Sequence, residues 1–231
     1  MKNRLVRFQD QHYALLLVLT NVAPVLFLGW LFNDYIGAIV IALLARMFLV
    51  HHCTWFINSL AHMWGSRPFS TEHSAVNNWI VALLTMGEGY HNYHHTFSGD
   101  YRNGVRFYQY DITKLFIWLA SKLGLAAGLR KVNASTIKKK LVLQDRKLML
   151  EEIGDKDQLT MVELKKEIVK ISDSLVAKLS DWERLKQRLT SMKRASPDRA
   201  LTQKLRLELR TLKKSIRKET RSWSRLLQVV I

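Results

Sequence analysis

From Tyr13 to Phe32 the chain reads YALLLVLTNVAPVLFLGWLF, twenty residues without a charge, and a helix that crosses a hydrocarbon core of ~30 Å needs about 20 apolar residues. This pattern predicts a membrane-spanning helix with a kink at Pro24, whose freed carbonyl neighbouring helices in lipid can satisfy. After the polar pair Asn33-Asp34 the run YIGAIVIALLARMFLV resumes at Tyr35, which predicts a second span over about 35–54. Its one charge, Arg46, is expected to reach the headgroups by snorkelling. Two long apolar runs joined by so short a turn predict a membrane hairpin rather than a soluble core.

Lys2, Arg4 and Arg7 precede the first span, the turn carries no Lys or Arg, and a basic segment follows the second span. This asymmetry places both termini on the cytoplasmic side of a multi-pass protein. The first run is longer than a typical signal-peptide core and is followed at once by another, so it does not read as a cleavable leader.

Beyond Asn133 the pattern changes to a 3/4 spacing at Leu164, Ile168, Ile171, Leu175, Leu179, Trp182 and Leu189, the mark of a long amphipathic helix. Ser196 as N-cap and Pro197 at the first helical position predict a break and restart. The stripe then resumes at Leu201, Leu205, Leu209, Leu212 and Ile216. Together these predict a helical hairpin or coiled coil. The expected fold is therefore all-α, in two parts: residues 1–133, holding the hairpin and a histidine-rich region at 55–100, and a basic helical extension, 134–231.

Charge follows the same division. The chain carries a formal charge of +17, from 36 Lys+Arg against 19 Asp+Glu. Residues 1–133 hold 11 and 6 of these, residues 134–231 hold 25 and 13, so an anionic partner would meet the extension first. No nucleic-acid-binding motif accompanies the charge, and attachment to a membrane core argues against that partner. A single cysteine, Cys53, excludes an intrachain disulfide and any CxxC site.

The chemistry concentrates in GEGYHNYHH, Gly87 to His95. Helical spacing lets His91 share a face with both His94 and His95, and burying several imidazoles without partners is costly, so the cluster reads as a metal site. Neutral imidazole suits Fe, Zn, Cu and Ni alike. Upstream, Asn58 and His62 in WFINSLAHMWG stand four residues apart, one helical turn. His12, His51 and His52 read as interfacial, and His73 falls in a loop or helix start. The glycines allow a sharp turn ahead of His91, and Glu88 is expected to accept a hydrogen bond from a ligating histidine.

NSLAHMWGSRPF followed by NNWIVALLTMGEGYHNYHHTFSGDY resembles the membrane-bound fatty acyl desaturases of the stearoyl-CoA Δ9 type, with their third histidine box and the preceding NxxxH element. The likeness runs from about Asp10 to Asn133, taking in RFQDQHY and DITKLFIWLASKLGLA. It implies a di-iron enzyme that uses O2 and two electrons to remove two hydrogens from a long acyl chain held on CoA or lipid. Electrons would come from a cytochrome b5, a ferredoxin or a rubredoxin. The resemblance makes His62, His91, His94 and His95 iron ligands, Asn58 a contact to iron through water, and Trp55 part of the acyl tunnel wall. It assigns no catalytic residue beyond the metal ligands.

Two further boxes of the family pattern, an HxxxxH and an HxxHH ahead of the first span, are absent from this chain, in which HNYHH alone has the HxxHH spacing. The expectation is a C-terminal half, inactive alone, whose other ligands lie in a missing N-terminal segment or a separate partner chain, or have been lost with decay of the gene. The rival readings are a fatty acyl hydroxylase built on the same site, and a non-catalytic membrane assembly protein that retains the histidine cluster.

Overall fold

The computed structural model describes residues 4–154, 159–195 and 199–231. Their regular elements are helices joined by loops, the longest over 64–78 and 97–111, with two isolated antiparallel bridges, Ser66 to Asn77 and Asn77 to Tyr90, and no strand among the described residues. The chain divides into two compact units, Met1–Leu60 and Ala61–Ile231.

The first unit is the hairpin. A short helix α1 (Arg4–Gln11) leads into α2 (Tyr13–Phe32), which runs unbroken through Pro24. Asn33 adopts a left-handed conformation at φ 52°, which asparagine tolerates better than most residues. Asp34 then accepts a hydrogen bond from the Gly37 amide at 2.8 Å and starts the return helix. Close packing at the bend depends on Gly29, where a Cβ would lie 2.5 Å from the Tyr35 ring.

The return helix is not uniform. It begins as α3 (Tyr35–Ala38), widens into a π-helical segment over Ile39–Ala45, and continues as α4 (Arg46–Asn58). Arg46 departs from the snorkelling expectation: its guanidinium donates to the Asn21 side chain in the middle of α2. Asn21 accepts from Arg46 while its own amide stays satisfied on the Leu17 carbonyl at 2.7 Å. Only 11% and 6% of the two apolar stretches is buried within the protein, so their side chains are left facing outward as lipid-exposed helices require.

In the second unit α5 (Leu60–Met63), α6 (Trp79–Leu84), α7 (His91–Thr96) and α8 (Ile112–Lys122) precede three long helices, α9 (Ala134–Ile153), α10 (Leu159–Ala195) and α11 (Arg199–Val230). The expected two-helix hairpin is a three-helix bundle. Arg146 pairs with Asp173 while Lys139 pairs with Glu183, so α10 runs antiparallel to α9. Lys138 meets Thr220 and Asp145 meets Trp223, which makes α11 parallel to α9. Met149, Ile168, Leu175 and Trp223 meet in the core. The α9 sequence supplies Val142, Met149 and Ile153 to it, positions that the stripe beginning at Leu164 leaves out. The expected cap at Ser196 and Pro197, and the charge of Lys2, lie outside the described residues.

The turn between α6 and α7 places the histidines. Asn78 caps α6, accepting from the amides of Ile80 and Val81 at 2.9 and 3.1 Å. Gly87 adopts φ 118°, and Gly89 lies so close to α6 that a Cβ there would be 2.0 Å from the Ala82 nitrogen and 2.5 Å from the Asn78 oxygen. Both neighbours are backbone and cannot rotate aside. Gly89→Ala is therefore expected to destabilise this unit by about 1–3 kcal/mol, read as a lower thermal midpoint. Gly99→Ala, where nothing lies within 4 Å, serves as the control; equal midpoints for the two variants would contradict the account.

Candidate metal centre

Three imidazoles from two helices converge. His62 comes from α5, and His91 and His95 lie one turn apart on α7. One ring nitrogen of each lies within 4.8 Å of the others. The Nε2 atoms of His91 and His95 are 3.0 Å apart. Two neutral imidazole nitrogens facing each other at that distance repel unless a proton or a cation lies between them. An ion bound at about 2.0–2.1 Å holds paired ligand atoms no more than about 4.2 Å apart, so small side-chain rotations close this set around a single ion. The donor set fits a transition metal.

Further contacts orient the rings. His62 uses Nδ1 on the Ser74 hydroxyl at 2.8 Å, which leaves Nε2 for the centre, the arrangement in which an outer partner orients a metal-binding ring. His91 is buried and its Nδ1 has no hydrogen-bond partner. Burial, reinforced by His95 and the other nearby imidazoles, lowers its pKa to about 4. Burial likewise lowers that of His95, with His73 and His94 adding to the effect. Both rings therefore stay neutral and keep their lone pairs at neutral pH.

His94 lies beside this triangle rather than in it. Its ring stacks on His91 at 5.8 Å and 14°, but its nitrogens fall outside the group of three. Asn58 is exposed, the last residue of α4, and its amide donates to the Thr54 carbonyl at 3.4 Å. The single helical turn expected from Asn58 to His62 is interrupted at Ser59, with φ −120° and ψ −76°. Trp55 is 58% exposed and packs beside His52, with ring centroids 5.0 Å apart. Glu88 does not bond a histidine: its carboxylate accepts from the Asn103 amide at 2.8 Å, bracing the segment after α7.

Three residues that the sequence reading passed over hold the site together. Buried Asn92 accepts from the Phe69 and Ser70 amides and donates to the Ser70 and Ala75 carbonyls, clamping residues 69–75 onto α7. That clamp brings His73 to the cluster, its ring 5.3 Å from His95 and its Nδ1 buried without a partner. Tyr93 donates to Asp100 at 2.7 Å. Asp100 also binds Arg102 through two nitrogens and accepts the Val132 amide. The Asn and Tyr of HNYHH are thus the scaffold between its histidines, a role hinted at only by polar residues sitting on the inner face of so short a helix.

Residues 2–117 match the fatty acid desaturase family. The chain is similar to acyl-CoA desaturase 1 of Saccharomyces cerevisiae, 47% identical over 143 residues, covering 62% of this chain and 28% of that protein. It is 46% identical over 145 residues to a probable acyl-CoA desaturase of Schizosaccharomyces pombe, covering 62% and 30%. It is 37% identical over 141 residues to an acyl-CoA C20 Delta5-desaturase of Anemone leveillei, covering 61% and 43%. The chain thus spans less than half the length of each of these relatives, and the family match ends before the three-helix bundle begins.

Proposed function

Because the chain belongs to the fatty acid desaturase family, we propose that it forms the C-terminal half of a membrane-bound, O2-dependent acyl desaturase, inserting a double bond into a long acyl chain on CoA or lipid. The convergence of His62, His91 and His95 within the family-matching region carries this reading. These three would hold one iron of a di-iron centre, leaving His94, and Asn58 through water, as the donors this chain offers the other. With O2 and two electrons from a cytochrome b5, ferredoxin or rubredoxin, such a centre supplies the oxidising power that an unactivated C–H bond demands.

The chain's own residues prepare the site. Neutral imidazoles present lone pairs, Asn92 fixes the loop over α7, and Ser74 orients His62. Trp55 contributes to the apolar path of the acyl chain, which keeps water from the reacting carbon. The hairpin anchors the site to the bilayer with both termini cytoplasmic. An N-terminal portion bearing HxxxxH and HxxHH, in the same polypeptide or in a partner chain, completes the coordination. In this reading residues 134–231 are an extension of the desaturase domain.

The test compares the intact mass of the native product in its own membranes with 26.9 kDa, alongside its acyl products. The expected result is a larger chain or a two-chain complex that makes unsaturated product, lost in His94→Ala. Product heavier by one oxygen would make it a hydroxylase. A metal-free 26.9 kDa protein without a partner would make it a membrane assembly protein.

A further inference from the structure

We propose that the outer face of α11 is a docking surface for anionic phospholipid headgroups. The inference rests on the membrane placement of the hairpin and goes beyond the desaturase reading, because α11 lies outside the family match.

The inner face of α11 buries Leu205, Leu209, Ile216 and Trp223. At 100° per residue, Arg206, Arg210, Lys213, Arg217, Arg221 and Arg225 fall within one 120° sector that flanks the buried face and contains none of those residues. All six are exposed. The stripe spans residues 206–225, about 28 Å from end to end at 1.5 Å per residue. The two carboxylates of the helix lie outside this sector, and Glu219 is already paired with Lys178 and Ser174 of α10. Among the described residues none of the six stripe cations forms an ion pair.

A face that serves only for solubility mixes both signs. The other helices of the bundle do so: Lys139 pairs with Glu183, Arg146 with Asp173, and Arg184 with Asp181. The α11 stripe keeps one sign over its whole length, which costs self-repulsion in the free protein and is offset only against an anionic partner. A bilayer is the anionic surface this chain always has at hand, because the bundle belongs to the same polypeptide as the two lipid-exposed helices. Basic side chains beside anionic headgroups each add to the attraction, and salt screens it within about 10 Å.

The experiment uses the full chain reconstituted through its hairpin. Cys53→Ser and Gln228→Cys place one fluorescent donor on the exposed basic face, and headgroup-labelled lipid is the acceptor. The vesicles are phosphatidylcholine alone or with about one third phosphatidylserine. Energy transfer is expected to rise at least twofold with phosphatidylserine, to return to the neutral-lipid level at about 1 M salt, and to lose its lipid dependence when Arg206, Arg210, Lys213 and Arg217 are changed to Gln. Equal transfer in both vesicle types would overturn the proposal. So would an unchanged response in the variant, or tight binding of single-stranded RNA by the stripe with no effect of phosphatidylserine. Failure to insert into the vesicles at all would instead count against the membrane reading of the hairpin.

Discussion

His91→Ala is expected to abolish metal binding by the chain. This imidazole is the centre of the cluster, with its ring 4.9 Å from His62 and 4.4 Å from His95, and it is the most deeply buried of the three. Loss of an outer partner alone costs about 10–100-fold in metal affinity, so loss of a ligand from a three-nitrogen set is expected to exceed about 100-fold. Metal per chain after purification in detergent, read by elemental analysis with helicity checked in parallel, measures the effect. Undiminished metal in a folded variant would refute the site. Acid acts on the same group. With its pKa held at about 4 by burial and neighbouring imidazoles, His91 takes up its proton only well below the ordinary histidine range. Between about 6.5 and 4 the unfolded chain binds a proton that the folded chain does not. Acidification through that window therefore favours unfolding of the metal-free chain, read as a falling thermal midpoint.

Asp100→Asn is the most damaging single change expected outside the metal ligands. The carboxylate accepts from Tyr93, from Arg102 and from the Val132 amide, and its side chain has no exposed surface. Burial alone would raise its pKa, but these donors outweigh burial and hold it at about 2. Removing one partner of a buried ion pair costs about 3–5 kcal/mol, and an asparagine in its place directs an N–H at some of the same donors. A fall in thermal midpoint on the order of 10 °C follows for a unit of this size, and a fall of only a degree or two would show that the network is dispensable. In wild type the contribution is full above pH 4. It is lost between about 4 and 2, where the unfolded chain protonates first. Because Tyr93 lies between His91 and His94, the variant should also loosen metal binding.

The hairpin was legible because lipid imposes a simple rule: about twenty apolar residues per crossing. Tyr13–Phe32 is found as read, and the turn falls at Asn33-Asp34 as expected. The π-helical turn at Ile39–Ala45 and the pairing of Arg46 with Asn21 were not legible, since they depend on which side chains of two helices meet at one depth. The bundle was half legible. A stripe reports a face to be buried and not how many helices bury it, and α9 interrupts its apolar positions with polar ones such as buried Gln144.

At the metal centre, the sequence determined the donor types and the helical spacing that puts His91 and His95 on one face, because both are local properties of a few consecutive residues. Only the tertiary structure decided which histidines converge. The close approach of Gly89 to α6 and the clamp of Asn92 on residues 69–75 bring α7 against other parts of the chain. They gather His62 with His91 and His95, set His94 aside, and carry His73 in beside them. Those outcomes turn on the meeting of segments far apart in the chain, to which spacing along the sequence is blind.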